Sequence, residues 1–463
     1  MINFFNFKEL NAQYLITNDL GRYAFISDAE LLQLVNDDIS PQSKCGKELE
    51  EKGFVFSSSR QSFLQHYEHQ MRDSKNYLFG ATSLHIVVVT AACNLRCVYC
   101  QAGDGENSLG GMMTQETAEK VIETILDSPN QHLTIEFQGG EPLLNYPIIQ
   151  FIVEMVERKH TGKDISFSVV TNLTLLTNEM ISFFAEHRVG LSTSIDGAAS
   201  IHNANRPYPN GSATFDDVVR AVERLRKAGL DVGAIQTTTR MTLSDPLAVI
   251  DTYYNLGFNN IFLRPLSPLG CAGKRWDDIG YTAKEFVSFY RSCLAYIIKK
   301  NKKGFNLQEN TAAVFLSKIL HSYPVNYMEL RSPCGAITGQ MAYHYTGDVF
   351  TCDEGRMLYE MGDTSFRLGK VGRDCYNNLV DSQICSPVCK ASVLESIPSC
   401  CDCAYLPYCG ACPAINFALY RDIIAKEPRH YRCIIYSGIL DELFSLIQEG
   451  DPSTMEILKA WCV

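Results

Sequence analysis

The feature that most constrains the fold of this 463-residue chain is a regular alternation of strand-like and helix-like segments between residues 84 and 300. Six short apolar runs fit buried strands, at residues 84–89, 133–137, 166–170, 191–195, 234–238 and 261–263. Amphipathic stretches between them fit helices, at residues 114–126, 148–157, 178–187, 215–228 and 246–256. Because successive strand–helix pairs pack as right-handed parallel units, the sequence predicts an α/β fold built on a partial (β/α)6 barrel.

Segments of unusual composition follow five of the six predicted strands. They are residues 93–100, 139–142, 171–172, 194–197 and 264–265. In barrels of this kind the loops that follow the strands carry the active site. We therefore expect the side chains of these segments to meet at one rim of the barrel.

The first 80 residues have the pattern of a small separate module. Two strand-like runs, residues 14–17 and 23–26, flank a turn sequence at 18–21. Ser27 and Glu30 then have the spacing of a helix capping box, and a second helical stretch ends near Gly53. This order predicts a winged-helix-like module, and it contains no metal-binding or catalytic constellation.

Composition excludes several classes of partner. Lys plus Arg number 41 and Asp plus Glu number 52, so the net charge of −11 gives no attraction to nucleic acid or to an anionic membrane. No apolar run reaches the roughly 18 residues of a membrane helix, and Lys8 and Glu9 interrupt what would be the core of a signal peptide. The sequence therefore predicts a cytoplasmic protein without nucleic-acid or membrane partners.

The chain contains 18 cysteines, and most of them are clustered. In a reducing compartment, clustered cysteines hold metal or carry out redox chemistry more often than they form disulfides. Beyond residue 330 the predicted elements become short and the cysteines dense, which indicates a region that folds around metal. We divide the chain into the N-terminal module at 1–80, the barrel at 81–310 and a cysteine-rich domain at 311–463.

Cys93, Cys97 and Cys100 lie on the loop after the first predicted strand, with the spacing C-x3-C-x2-C. Thiolates suit iron–sulfur clusters and zinc. Three of them can hold three corners of a cubane cluster and leave its fourth iron open to another ligand. The alternative is a zinc ion whose fourth ligand comes from elsewhere in the chain.

This cysteine loop and the sequence Gly139-Gly140-Glu141-Pro142 after the second strand resemble the radical S-adenosylmethionine (radical SAM) enzymes. The resemblance implies a [4Fe-4S] cluster on the three cysteines, with its open iron chelated by the amine and carboxylate of S-adenosylmethionine. It also implies an activity: one electron cleaves that cofactor, and the 5'-deoxyadenosyl radical abstracts a hydrogen atom from the substrate.

The same resemblance implies a set of cofactor-binding residues. These are Tyr99, Gly139, Gly140, Glu141, Ser194, Asp196 and Arg206. Gly139 to Glu141 would receive the methionine amine, Tyr99 would approach the adenine, and Arg206 would pair with the carboxylate through its guanidinium fork. The alternatives are structural: Glu141 as a solvated turn residue, Arg206 as a surface charge and Ser194 as a strand-end hydroxyl.

The C-terminal cysteines resemble the SPASM extension, which holds two auxiliary [4Fe-4S] clusters in peptide-modifying radical enzymes. By that pattern, one cluster takes Cys400, Cys403, Cys409 and Cys433, and the other takes Cys334, Cys352 and Cys412. The second set has only three thiolates, so its fourth iron is either open or closed by Cys375, Cys385, Cys389 or Cys401. The alternative is a pair of zinc sites, since C-x2-C pairs also bind zinc.

Asp353 directly follows Cys352. In the sulfatase-maturing relatives an aspartate at the matching position takes up a proton from the substrate. The resemblance therefore implies that Asp353 is a general base, which requires it to reach the substrate. The alternative is a carboxylate that bonds to the backbone near the cluster.

Across nearly the whole chain the sequence is similar to the B components of the His-Xaa-Ser system radical maturases. The similarity includes residues 83–90, 99–101, 137–144, 331–335 and 351–357. It implies a maturase that modifies a ribosomally made peptide or protein, with an electron donor such as flavodoxin or ferredoxin and a second radical SAM enzyme as partners. The N-terminal module would bind the leader of that peptide, or else cap the open end of the barrel.

Three other functions fit parts of the pattern. The first is an anaerobic sulfatase maturase that oxidises a cysteine or serine to formylglycine. The second is a non-enzymatic zinc scaffold that binds a partner peptide. The third is an electron-transfer iron–sulfur protein, for which the segment 139–142 would have no use.

Overall fold

A computed structural model describes residues 1–102, 111–159, 162–321, 325–424 and 430–462. The N-terminal region forms three strands and then three helices: β1 (Asn6–Leu10), β2 (Gln13–Thr17), β3 (Tyr23–Ile26), α1 (Asp28–Val35), α2 (Lys44–Glu51) and α3 (Arg60–Ser74). The predicted hairpin is confirmed as β2 and β3, and the Ser27–Glu30 capping box is confirmed. β1 and α3 are additional, and a winged-helix arrangement is not confirmed.

The predicted barrel strands are all present, and they pair in sequence order as parallel neighbours. They are β4 (Leu84–Thr90), β5 (His132–Gly139), β6 (Asp164–Val170), β7 (Gly190–Ser194), β8 (Val232–Thr237) and β9 (Asn260–Arg264). The helices between them are α4 (Gln115–Leu126), α5 (Tyr146–Arg158), α6 (Asn178–Glu186), α7 (Ala199–Asn205), α8 (Phe215–Lys227) and α9 (Pro246–Asn255). β4 is buried along nearly its whole length, as its largely apolar sequence predicts.

The sheet extends beyond the six predicted strands on both sides. After β9 come α10 (Gly270–Lys274), α11 (Trp276–Ile279), α12 (Ala283–Asn301), β10 (Gln308–Glu309) and α13 (Asn310–Leu320). β10 pairs with β9, and at the other side β11 (Gln340–Tyr343) pairs in parallel with β4. β12 (Asp348–Phe350) and β13 (Arg367–Lys370) then continue as antiparallel neighbours. One ten-stranded sheet therefore joins the barrel to the start of the cysteine-rich region.

The rest of the C-terminal region is helical. It contains α14 (Asp353–Glu360), α15 (Tyr376–Val380), α16 (Cys385–Lys390), α17 (Pro413–Tyr420), α18 (Tyr431–Glu449) and α19 (Pro452–Ala460). The expectation of only short elements beyond residue 330 was wrong for α18, which has 19 residues and packs along α12. No helix within the described ranges is both long enough and apolar enough to cross a membrane.

The N-terminal sheet packs against the cysteine-rich region. The Asn6 side-chain amide donates to the carbonyl oxygens of Cys401 and Cys403, each at 3.1 Å. The Thr17 hydroxyl donates to the carbonyl of Ala404 at 2.7 Å. Tyr23 packs edge-on against Phe444 of α18, with 5.3 Å between ring centroids. The module is thus held beside the C-terminal cysteines.

Candidate functional site

The largest group of predicted site residues lines a single cavity of about 270 Å³ at the carboxyl ends of the barrel strands. Residues from five different strand-end segments contribute to its wall, as the sequence predicted. The predicted residues that line it are Cys93, Cys97, Tyr99, Cys100, Gly139, Gly140, Ser194 and Arg206. The cavity therefore combines three thiols, a glycine pair, a hydroxyl and a guanidinium.

The three thiols are the soft donors that an iron–sulfur cluster requires. Burial raises the pKa of Cys93 and of Cys97 to about 12. Both are therefore protonated at neutral pH, and metal binding has to displace their protons. Arg206 is close to one of them, with its Nη1 atom 3.9 Å from Sγ of Cys97.

Gly139 and Gly140 allow the end of β5 to pack directly on the backbone that leads into the cysteine loop. A Cβ atom on Gly140 would lie 2.3 Å from the carbonyl oxygen of Ala92, and one on Gly139 would lie 2.2 Å from that of Thr90. The Gly140 amide donates to the Thr90 carbonyl at 3.0 Å. Side chains at these positions would push the cysteine loop away from the sheet.

Glu141 does not reach the cavity, although the sequence analysis placed it against the cofactor amine. Its side chain is fully buried, and its carboxylate accepts hydrogen bonds from three groups. These are the Thr171 hydroxyl at 2.7 Å, the Asn172 amide at 2.7 Å and the Leu143 amide at 3.0 Å. Burial outweighs these bonds and raises the pKa of Glu141 to about 7. Its place in the structure is to hold the ends of β5 and β6 together.

Asp196 is also removed from the cavity, because its fully buried carboxylate is surrounded by protein donors. It accepts from the Tyr99 hydroxyl at 2.7 Å, from the Asn205 amide at 3.1 Å and from Nε of Arg206 at 3.4 Å. The Arg206 guanidinium lies over the Tyr99 ring, 5.2 Å from its centroid. Asp196 therefore positions Tyr99 and Arg206, which do line the cavity.

Asp353 is not among the residues that line this cavity, and its role as a general base stays a prediction. Its carboxylate accepts from Nε of the buried Arg356 at 3.1 Å and also from Nη2. Glu354, the next residue, does line the cavity. The one-residue difference places the two carboxylates on different sides of the first turn of α14.

Sequence reasoning missed a charged group on the cavity wall. Arg264 donates to Oε1 of Glu329 at 3.0 Å, and Arg432 lies 3.5 Å from Oε2 of the same residue. Glu329 is in turn hydrogen-bonded to Glu354. Burial alone would raise the pKa of Glu329, but the positive charges of the two arginines outweigh burial and lower it. Burial and then Glu329 raise the pKa of Glu354 to about 7. Of these charged residues, only Arg264 could be singled out from the sequence, because it lies at the end of a predicted strand.

The two thiol sets that the resemblance implied in the C-terminal region stay a prediction, and the structure gives the surroundings of their members. Cys400, Cys403, Cys409 and Cys433 line one cavity of about 200 Å³, to which Cys412 also contributes. Cys334, Cys352 and Cys412 are all buried, and burial raises the pKa of each thiol. The other two thiols raise the pKa of Cys352 further, and Cys334 raises that of Cys412. No three His, Cys, Asp or Glu side chains within the described ranges converge tightly enough to hold a single metal ion.

Of the four cysteines left as candidates to close the three-thiol set, Cys389 lies near Cys334. The Ser392 hydroxyl accepts from the Cys334 amide and donates to the Cys389 carbonyl, each at 3.0 Å. Cys385 and Cys389 line a different cavity with Tyr376, and Cys375 is exposed, where its thiol donates to Asn378 at 2.8 Å. Cys401 contributes its backbone carbonyl to the contact with Asn6.

Comparison with known proteins agrees with this geometry. Residues 87–246 match the Radical SAM superfamily model. A cysteine-type anaerobic sulfatase-maturating enzyme of Clostridium perfringens is 27% identical over 283 residues, 58% of this chain and 74% of the relative. The radical SAM cyclopropyl synthase TigE of Paramaledivibacter caminithermalis is 27% identical over 233 residues, 47% of this chain and 46% of that enzyme.

Two solved structures share the fold. Native anSMEcpe with bound AdoMet superposes with a TM-score of 0.68 at 21% identity, covering 82% of this chain and 99% of that chain. Streptococcus suis SuiB bound to S-adenosylmethionine superposes with a TM-score of 0.55 at 15% identity, covering 91% of this chain and 97% of that one. The radical SAM superfamily binds a [4Fe-4S] cluster and S-adenosylmethionine, and three thiols around a cavity fit that pair. The chain therefore contains a radical SAM domain at residues 87–246, followed by a cysteine-rich C-terminal region, and it shares its fold with these two structures.

Proposed function

We propose that the protein is a peptide maturase of the His-Xaa-Ser system type, which modifies a residue of a ribosomally made peptide or protein in the cytoplasm. The observation that carries this proposal is the main cavity, in which the Cys93, Cys97 and Cys100 thiols share one space with Arg264, Glu329 and Glu354. The thiols provide a place for the cluster, and the charged group provides a second polar wall for a substrate. Charged side chains on that wall suit a peptide better than an apolar molecule.

In this proposal Cys93, Cys97 and Cys100 hold the [4Fe-4S] cluster. When bound, the cluster and S-adenosylmethionine supply the radical that abstracts a hydrogen atom from the substrate. Arg206 binds the cofactor carboxylate, held in place by Asp196, and Ser194 offers a hydroxyl at the cavity wall. The glycine backbone at 139–140 keeps the cysteine loop against the sheet and leaves room for the cofactor.

The two C-terminal thiol sets hold auxiliary clusters in this proposal. Clusters held there would supply an acceptor for the electron that remains on the substrate, or a binding site for the substrate itself. An external one-electron donor such as flavodoxin or ferredoxin would supply the electron for the first cluster, and a second radical SAM enzyme would act on the same peptide.

The relatives support a peptide substrate. The anSMEcpe enzyme has been solved with a bound Kp18Cys peptide, and SuiB with its precursor peptide SuiA. In this chain β1 is an edge strand of the N-terminal sheet, and Phe7 on it is 52% exposed. An exposed edge strand can pair with an extended peptide. We therefore assign binding of a leader segment to the N-terminal module.

The test is to incubate the anaerobically reconstituted enzyme with S-adenosylmethionine, a strong reductant and the precursor peptide encoded beside its gene. We expect 5'-deoxyadenosine and a mass change on the peptide, both measured by mass spectrometry. A Phe7→Ser variant should weaken peptide binding and leave cleavage of S-adenosylmethionine without peptide unchanged. Modification of a peptide that lacks its leader at the same rate as the full precursor would contradict the leader-binding assignment.

A second candidate is sulfatase maturation, favoured by the identity to the Clostridium perfringens enzyme. Adding a sulfatase-derived peptide to the same assay distinguishes sulfatase maturation from modification of the precursor peptide. Formylglycine in that peptide and no change in the precursor would replace the first proposal with this one.

A further inference from the structure

Four arginines among the described residues line the main cavity, and they differ in how their charge is balanced. Nε of Arg206 lies 3.4 Å from Oδ2 of Asp196. Arg356 is paired in the same way with Asp353. Each of these two guanidinium groups therefore has a carboxylate of its own, whereas the other two arginines share one.

The carboxylate that the other two arginines share belongs to Glu329. Nη2 of Arg264 donates to Oε1 of Glu329 at 3.0 Å, and Nη1 of Arg432 lies 3.5 Å from Oε2. In the part of the chain that the structure describes, the Arg264 side chain makes no second hydrogen bond, and neither arginine forms an ion pair with Glu354. Because a guanidinium carries N–H donors on several sides, most of these donors have no acceptor among the described residues. This wall therefore offers N–H donors to a ligand in the cavity.

Arg264 is the more open of the two arginines and is held in a fixed position. Its side chain is 37% exposed, compared with 16% for that of Arg432. It is the last residue of β9, and its guanidinium lies over the Phe262 ring, 5.0 Å from the centroid. The cysteine loop follows β4, and β4 and β9 are the first and the last of the six barrel strands. A ligand held by Arg264 can therefore extend along the rim toward the cysteine loop.

We propose that Arg264 binds a carboxylate of the peptide substrate, and that Arg432 supports it by sharing the charge of Glu329. The guanidinium fork matches the two oxygens of a carboxylate. Carboxylates, on Asp, Glu and the C-terminus, are the anionic groups of an unmodified ribosomal peptide. The contact sets the register of the peptide, and thereby determines which of its residues lies at the cysteine end of the cavity.

The inference rests on the proposed peptide substrate, so the two claims are tested separately. Binding of the labelled precursor peptide encoded beside the gene is measured by fluorescence anisotropy with full-length, anaerobically reconstituted protein. Three further versions of the peptide are compared with it: one with the Asp and Glu side chains of the modified segment changed to amides, one with a C-terminal amide, and one with both changes. Failure of the unaltered protein to bind the precursor contradicts the proposed function, and the series is then made from the sulfatase-derived peptide.

The first comparison is made with the unaltered protein. We expect either the side-chain amides or the C-terminal amide to weaken binding roughly 10- to 100-fold, because a charge-assisted contact is lost. The version that loses affinity identifies the carboxylate. The proposal is overturned if the doubly changed peptide binds as tightly as the precursor.

Arg264→Gln tests whether this arginine is the group that binds the carboxylate. We expect the variant to bind the precursor roughly 10- to 100-fold more weakly and no longer to distinguish it from the doubly changed peptide. A merely structural disturbance weakens binding of both peptides by the same factor, and that result overturns the proposal. Arg291→Gln is the matched control, since this exposed arginine pairs with Glu442 outside the cavity wall, and we expect it to bind both peptides as the unaltered protein does.

Arg264→Lys is a second variant, which keeps a positive charge beside Glu329. We expect it still to prefer the acidic peptide, but by a smaller factor, because an ammonium group cannot form the two-pronged contact. The proposal is overturned if both Arg264 variants keep the full preference of the unaltered protein. It is also overturned if Arg264→Gln weakens binding of S-adenosylmethionine and leaves that of the peptide unchanged, since the carboxylate is then that of the cofactor.

Discussion

The two cysteine regions of the molecule are built in different ways. Cys93, Cys97 and Cys100 lie within eight residues on one loop, which follows the central strand β4 of a ten-stranded sheet. The C-terminal thiols span residues 334–433. They lie on short segments and on the long helix α18, which carries Cys433, and the N-terminal strand β1 packs against this region. The first site is local in sequence and supported by a rigid sheet, whereas the second exists only once three parts of the chain have packed together.

This difference predicts that a substitution which disrupts one cysteine region leaves the other able to bind its cluster. Chemistry at the first site depends on a loop whose backbone is fixed by β4 and β5. Retention of the auxiliary clusters depends on contacts between distant segments. The variants below separate these dependences.

The largest expected effect comes from replacing Cys93, Cys97 and Cys100 together with alanine. We expect cleavage of S-adenosylmethionine to fall to the background without enzyme, because no thiolate remains to hold the first cluster. The measurement is 5'-deoxyadenosine formed under dithionite. Cys375→Ala, which changes an exposed thiol outside all three sets, is the control and should retain full cleavage.

Replacing Cys400 and Cys403 with alanine tests whether the C-terminal cysteine region can be disrupted without loss of the first site. We expect part of the cleavage activity to remain and modification of the peptide to be lost, because the first site does not depend on this set. The measurement is the ratio of 5'-deoxyadenosine to modified peptide. Equal loss of both products would show that the second region is structural and would remove the distinction drawn above.

Gly140→Ala tests the support of the first site. The added Cβ would lie 2.3 Å from the Ala92 carbonyl, so the cysteine loop has to move. We expect the free energy of unfolding to fall by about 1–3 kcal/mol and iron retention in the first cluster to fall with it. Urea unfolding and iron content measure the two effects. Gly233→Ala is the matched control in the same sheet, since its Cβ would approach no atom closer than 4.0 Å.

Asp196→Asn should have a smaller effect, which is confined to the affinity for S-adenosylmethionine. The amide keeps the shape of the side chain but loses the charge that orients Arg206 and Tyr99. Since a hydrogen bond to a charged group contributes about 1.5–3 kcal/mol, we expect S-adenosylmethionine to bind roughly 10- to 100-fold more weakly. Equilibrium binding measures this change, and Asp217→Asn, on the surface beside Arg220, should leave it unaltered.

The smallest effect is expected from Asn6→Ala in β1. It removes two hydrogen bonds to the carbonyls of Cys401 and Cys403 and leaves the first site untouched. We expect stability to fall by about 1 kcal/mol or slightly more. The auxiliary cluster should lose iron faster during dialysis, whereas cleavage of S-adenosylmethionine should not change. Faster loss of the first cluster instead would contradict the separation of the two regions.

The same contrast explains how much could be predicted from the sequence. The six barrel strands were predicted correctly, because their signal is local and periodic. The structure places the cysteine triplet on one cavity wall, as expected of a single short loop. The two thiol sets of the C-terminal region were implied by resemblance and stay a prediction, although Cys400, Cys403, Cys409 and Cys433 do line one cavity.

Side-chain direction was not predictable in the same way. Glu141, Asp196 and Asp353 lie in the expected segments, yet protein donors take up their carboxylates and none of the three lines the cavity. Glu329 and Arg432 have no local pattern, since only the packing of α18 and the segment before β11 brings them to the cavity. Burial and hydrogen-bond saturation depend on tertiary neighbours, which a spacing motif does not encode.

The most direct test of the central claim is the iron and sulfide content of anaerobically reconstituted protein, compared with that of the variant lacking Cys93, Cys97 and Cys100. We predict brown protein with iron for about three clusters, and a loss of about four irons per chain in the variant. The auxiliary clusters should be retained. Colourless protein loaded with zinc, or an iron content that the variant does not change, would contradict the account.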